Sequence, residues 1–389
     1  MHPSVLDFAF AAALLAAAAV VVHRCRFPAL PAYLLVGLGV GTRLDVASLE
    51  PLPSLGLLLL LFSVGLEFGP DRLAALSGRV LRAGGWDALG LLPGLAAGLL
   101  LGLDFKAAVM LAGVLYVSSS AVIAKLIIDL RRAAEPESEV VLGVLVFEDL
   151  VIAVLLALVG SRGGPLALLA SVGLVGAYLL AAHYFSPRLA AAMEALPDEP
   201  MLLLGAAFTA GTAMLFHAVG ASEGIGAFLA GVIAAGMGLR ERILGLFTPV
   251  RDLAVAFFFL TVGVGALALL ADLQATAVWL ALAALVGKLP LDYLAGAAAA
   301  LGLRRRLLTA LYLIPRGEFN LVLGALALRE AQGLISQVAV LLVLITIPLG
   351  AVAIRFGPAW TAGLRPPPRR LPAAVAAAEG VAEASQLSR

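Results

Sequence analysis

The 389-residue chain is 62% hydrophobic and 13% charged, with a formal net charge of +1, whereas a soluble domain is about 45–50% apolar and about 25% charged. Its apolar residues come in blocks of about 20, the helix length that crosses about 30 Å of hydrocarbon. This excludes a soluble globular domain and makes the chain an integral membrane protein; the single cysteine, Cys25, excludes an intrachain disulfide framework and a multi-cysteine metal site.

About thirteen membrane-spanning helices are expected, near 5–22, 29–45, 52–68, 80–102, 106–128, 140–160, 164–184, 201–219, 223–239, 252–271, 276–300, 307–328 and 335–354. The first run has no basic region before it and ends in HRCR, so it reads as a helix that stays in the membrane. In the fourth span Asp87 lies a couple of turns in, where Arg82 or another inner-side arginine would pair with it. The fifth carries YVSSSAVIAK, and Ser118, Ser119 and Ser120 compete with the helix for backbone hydrogen bonds, which lets it unwind.

The sixth span holds LVFEDLVIA, with Glu148 and Asp149 adjacent at mid-membrane. Neighbours on a helix point about 100° apart, so one can face a fixed countercharge while the other faces an aqueous cavity. Lys288, deep in the eleventh span, is the countercharge at matching depth; Asp292, four residues on, is the rival partner for that lysine. The twelfth span carries LIPRGEFN, where Pro315 and Gly317 break the helix and leave Arg316 and Glu318 to neutralise opposed half-helix ends. Each mid-span charge costs at least ~2.5–3.5 kcal/mol on insertion scales, so these groups need partners, water or a task. Residues 1–355 form the transmembrane domain on this reading, and 356–389 form a Pro- and Ala-rich disordered cytoplasmic tail.

Lys and Arg in the connections fall 18 on one side and four on the other. By the positive-inside rule the N-terminus is outside and the C-terminus cytoplasmic. Internal similarity supports a duplication: FSVGL at 62–66 resembles LTVGV at 260–264, AYLLVGLGVG at 32–41 resembles AFLAGVIAAG at 227–236, and Ser118–Ser120 correspond to Arg316–Glu318 at an offset of 198. An odd number of spans separates the copies, so they run in opposite senses, the arrangement of inverted-repeat secondary transporters. Unwound segments at matching places in both copies would line a cavity and present half-helix ends to an ion. No HExxH, phosphate-cradling glycine loop or nucleophile elbow occurs, so no enzyme activity is expected.

The ordered motifs LLLLLFSVGLEFG, SSSAVIAKL, LVFEDLVIAVLL, GAFLAGVIAAG, FFFLTVGVGA and RGEFNLVLG resemble the membrane domain of the monovalent cation:proton antiporters, in particular the Kef-type potassium/proton and related sodium/proton exchangers. The resemblance covers residues 5–355. It implies a core bundle with two crossing broken helices, a dimerisation bundle, alternating access and a homodimer. It also implies that Asp149 binds the transported Na⁺ or K⁺ and the proton, with Glu148 at the variable position before it. Lys288 then balances the site's charge, and Ser118–Ser120 together with Arg316, Gly317, Glu318 and Asn320 form the crossing unwound segments.

Glu-Asp is not the usual Kef-type pair, which leaves K⁺ against Na⁺ open. Kef-type members often continue into a nucleotide-binding regulatory domain, so regulation here is either absent or supplied by a separate cytoplasmic subunit. The sequence therefore points to a cell-membrane cation:proton antiporter without a cofactor or nucleic-acid partner. A passive cation channel or membrane sensor on the same scaffold is the alternative, and would show no proton coupling.

Overall fold

A computed structural model describes residues 3–25, 28–44, 49–67, 78–159, 190–218 and 223–364, with the single positions 173, 180 and 184. The span expected near 164–184, apart from those three positions, and the tail from 365 onward lie outside the described residues. The helices are α1 (Pro3–Arg24), α2 (Ala29–Val40), α3 (Pro51–Glu67), α4 (Gly78–Ala88), α5 (Leu91–Leu100), α6 (Phe105–Tyr116), α7 (Ser120–Asp129) and α8 (Pro136–Val159). After them come α9 (Asp198–Ala218), α10 (Glu223–Ala235), α11 (Arg240–Ala271), α12 (Ala275–Ala298), α13 (Leu303–Tyr312), α14 (Glu318–Arg329) and α15 (Gly333–Trp360). The last helix is followed by a 3₁₀ turn over Ala362–Leu364, so regular structure continues past residue 355.

Seven of the described helical segments are long and apolar enough to cross a membrane, and α2, α3 and α10 are shorter apolar helices. Two of the seven are built from consecutive helices, α4 with α5 and α6 with α7. The described helices sort into two groups by contact. In one, α1, α2, α3, α9, α10 and α11 pack on one another; in the other, α4 to α8 pack with α12 to α15. The groups meet where α10 touches α8, and where α11 and α2 touch α15.

Glycine sets the first group's geometry. A Cβ on Gly37 of α2 would lie 2.1 Å from the Leu260 carbonyl oxygen, and one on Gly263 of α11 would lie 2.2 Å from that of Leu34. A second crossing pairs Gly65 of α3 with Gly231 of α10, where a Cβ would come 1.9 Å from the Phe228 oxygen and 2.0 Å from the Phe62 oxygen. Small residues let helix backbones approach this closely in a bilayer, where packing replaces the hydrophobic drive of water. The internal repeat relates α2 to α10 and α3 to α11, so it carries the α2–α11 crossing onto the α10–α3 crossing. The two crossings are one contact built twice, as inverted repeats require.

Gly39 lies on the same helix as Gly37, but nothing stands within 4 Å of its Cβ position. Gly37→Val is therefore expected to destabilise the detergent-purified protein by about 1–3 kcal/mol through overpacking. Gly39→Val should change stability by no more than about 0.5 kcal/mol. Thermal unfolding of the two variants side by side checks this.

Candidate ion site

Two spans break at the same depth and cross. α6 stops at Tyr116, residues 117–119 are non-helical, and α7 begins at Ser120. In the second span α13 stops at Tyr312 and α14 begins at Glu318. Ser119 N donates to the Pro315 carbonyl at 2.8 Å, joining the two unwound segments directly. Gly317 sits against Ser119, and a Cβ there would lie 2.2 Å from the serine oxygen, so the crossing admits no side chain at 317.

Several of the freed backbone groups find partners inside the protein. Ser118 N donates to Glu148 Oε2 at 2.5 Å, and Arg316 N donates to Thr346 Oγ1 at 2.8 Å. Both acceptors lie 30 residues after their donors, and both donors and acceptors are 198 apart across the repeat. Gly317 N donates to Asn320 Oδ1 at 2.8 Å, while Asn320 Nδ2 donates to the Val114 and Val117 carbonyls at 2.7 and 3.2 Å. One amide side chain thus caps the start of α14 and the end of α6.

The charges at the crossing follow the helix dipoles. The Arg316 guanidinium donates to the Leu313 carbonyl at the end of α13, at 3.1 Å, and to Ser118 Oγ at 2.7 Å. Glu318, the first residue of α14, accepts from the Ser119 hydroxyl at 2.8 Å, beside the start of α7. A cation therefore meets a helix C-terminus and an anion meets two N-termini, as expected for opposed half-helices.

Glu148 and Asp149 face different surroundings. Glu148 Oε1 accepts from Lys288 Nζ at 2.8 Å, and Ser118 Oγ lies 3.0 Å from the same oxygen. Lys288 also donates to Asp292 Oδ1 at 2.8 Å and to Asp87 Oδ1 at 2.7 Å. The two candidate partners of the lysine are both present, and a third joins them. Asp87 does not pair with Arg82: five residues apart on α4 they point to opposite sides, Asp87 inward and Arg82 outward, where its Nε donates to the Gly78 carbonyl at 3.2 Å.

Asp149, 6% exposed, instead lines a pocket of about 10 Å³ between the two helix groups, with Leu61 of α3, Gly224 and Phe228 of α10 and Phe319 of α14. That volume holds about one water-sized occupant. Leu61, Leu156 and Gly224 also line an adjoining cavity of about 340 Å³. This cavity extends to His217, Glu223, Arg329 and Glu330 at one end of the molecule, where His217 pairs with Glu223 at 2.9 Å and Glu330 with Lys106 at 2.5 Å.

Sequence reasoning missed Thr346 and the clustering of Asp87 with Lys288. The first was within reach: the repeat offset applied to Glu148 lands on Thr346. The second was not, because nothing in the spacing of α4 and α12 says that they are neighbours.

A helical membrane domain with crossed broken helices, duplicated packing and buried carboxylates beside the crossing defines a secondary transporter of the inverted-repeat type. The chain belongs to the sodium/hydrogen exchanger family, whose transmembrane model matches residues 10–356; it is a transporter, not an enzyme. It is 31% identical to the K⁺/H⁺ antiporter subunit KhtU of Bacillus subtilis over 388 residues, covering 91% of this chain and 94% of that protein. It is 29% identical to the ammonium/H⁺ antiporter subunit AmhT of Alkalihalophilus pseudofirmus over 356 residues, covering 86% and 88%. The sodium proton antiporter MjNhaP1 of Methanocaldococcus jannaschii shares the fold, with a TM-score of 0.69 over 92% of this chain and 99% of that one at 17% identity.

Thr346→Val keeps the side chain's shape but strands the buried Arg316 N–H. It is expected to cost about 1–3 kcal/mol, and Thr346→Ser should recover most of that. Thermal unfolding in detergent measures both.

Proposed function

We propose that the chain exchanges protons for a monovalent cation, K⁺ or Na⁺, across the cytoplasmic membrane, and that the two compete for Asp149. The observation that carries this reading is the place of Asp149: a carboxylate at membrane depth, on the seam between the two helix groups, in a pocket that continues into a cavity reaching one end of the protein. An ion bound there has the carboxylate for charge. The neighbouring breaks of α6/α7 and α13/α14 supply backbone dipoles, which suit ion binding in a membrane interior. Relative movement of the group containing the crossing against the glycine-packed group would expose the seam to each side in turn. A carboxylate that must drop its proton to take the cation couples the two flows.

The relatives named as K⁺/H⁺ and ammonium/H⁺ antiporter subunits support cation:proton exchange and favour K⁺ as the first cation to test. Their designation as subunits supports a separate partner protein; a regulatory role for that partner on the cytoplasmic side, and a homodimer, complete the proposed assembly. For orientation, the arginine-rich end is assigned to the cytoplasm. There Arg132 donates to the Ile354 and Arg355 carbonyls, Arg240 to the Leu66 carbonyl, and Arg305 pairs with Glu137. The His217 and Glu330 end then faces outward.

Everted membrane vesicles carrying a respiration-driven pH gradient, followed with a pH-sensitive dye, test the reading. KCl or NaCl is expected to dissipate the gradient in wild type and to have no effect in Asp149→Asn vesicles. Equal dissipation by the variant would remove Asp149 from the role. Cation flux without proton movement would favour a channel.

A further inference from the structure

Lys288 has no spare hydrogen. An ammonium offers three N–H donors. Here Asp87 on α4, Glu148 on α8 and Asp292 on its own helix α12 each place a carboxylate oxygen 2.7–2.8 Å from Nζ. All four side chains are buried, none more than 4% exposed. The Tyr116 ring stands 5.3 Å from the ammonium and covers it further. Glu148 is equally committed, because its second oxygen accepts from Ser118 N at the α6/α7 break. A lysine that moved to Asp149 whenever the cation left would have to abandon three short contacts in a dry site to make one, and would strand the carboxylates it left behind.

We propose that Asp87 and Asp292 are positioning residues that hold the Lys288 ammonium on Glu148 and away from Asp149. The lysine is then a fixed charge that supports the helix break, and exchange takes place at Asp149 alone. One cation replaces one proton there, so a turnover moves no net charge across the membrane. The inference rests on the exchange reading of the preceding subsection and adds its stoichiometry and two residues.

The test uses the purified full chain in proteoliposomes, with cation uptake driven by a pH gradient and a membrane potential imposed separately by a thiocyanate gradient. The wild-type rate is expected to be the same at either sign of potential. In Asp87→Asn/Asp292→Asn the ammonium keeps one carboxylate of three and is free to compete with the cation. The cation KM should rise about tenfold with kcat changed far less, the mark of lost ground-state binding. The single variant Asp292→Glu, which keeps the charge, should stay close to the wild-type KM.

If the cluster only braces the helices, the double variant melts at lower temperature but keeps the wild-type KM, and the proposal fails. Should the double variant not fold, Asp292→Asn carries the same KM comparison, and the wild-type potential experiment needs no variant. A wild-type rate that follows the imposed potential overturns the clamp while leaving exchange intact. Absence of cation-dependent proton movement under every condition overturns the exchange reading itself, and the clamp's stoichiometry with it.

Discussion

Backbone polar groups in the middle of a bilayer must be satisfied by the protein, because no water is there to do it. Two broken spans make that constraint acute here, and much of the site is a consequence of meeting it. The amides of Ser118, Ser119, Arg316 and Gly317 take acceptors from Glu148, Pro315, Thr346 and Asn320 in turn. One of the four acceptors, Glu148, is charged. A buried carboxylate needs a cation, which brings in Lys288, and that cation is shared with Asp87 and Asp292. The ionic cluster at the centre of the core is thus an extension of a backbone hydrogen-bonding problem.

The two adjacent acids divide the labour because a helix turns about 100° per residue. Glu148 points into the core group and holds the crossing together. Asp149 points to the seam between the two groups, where a bound ion would feel their relative motion. A single-residue step in the sequence separates scaffold from proposed cargo site.

Much of this is legible in the sequence. The triple serine and the Pro-Arg-Gly-Glu run break helices by chemistry that depends only on local residues. Their matching offset marked the repeat, and the opposed placement of Arg316 and Glu318 followed from helix dipoles. What stayed hidden depended on which helices are neighbours. Asp87 and Lys288 are 201 residues apart, and no periodicity brings α4 to α12. The role of Asn320 was hidden for a different reason: one amide bridges two breaks, and its carbonyl partners at Val114 and Val117 carry no side-chain signal at all.

The glycine crossings have a mechanical meaning beyond stability. Side chains between two helices act as a compliant layer that can repack as the helices slide. Where Gly37 meets Gly263 and Gly65 meets Gly231, that layer is gone and backbone rests on backbone. Such a contact resists sliding and compression, yet allows small rotations about the touching point. The α2–α11 and α3–α10 pairs therefore behave as two stiff beams with fixed spacing. In the proposed exchange cycle, travel of the neighbouring group would be measured against them, and displacements at the crossing would reach the seam beside Asp149 instead of being lost in a yielding frame.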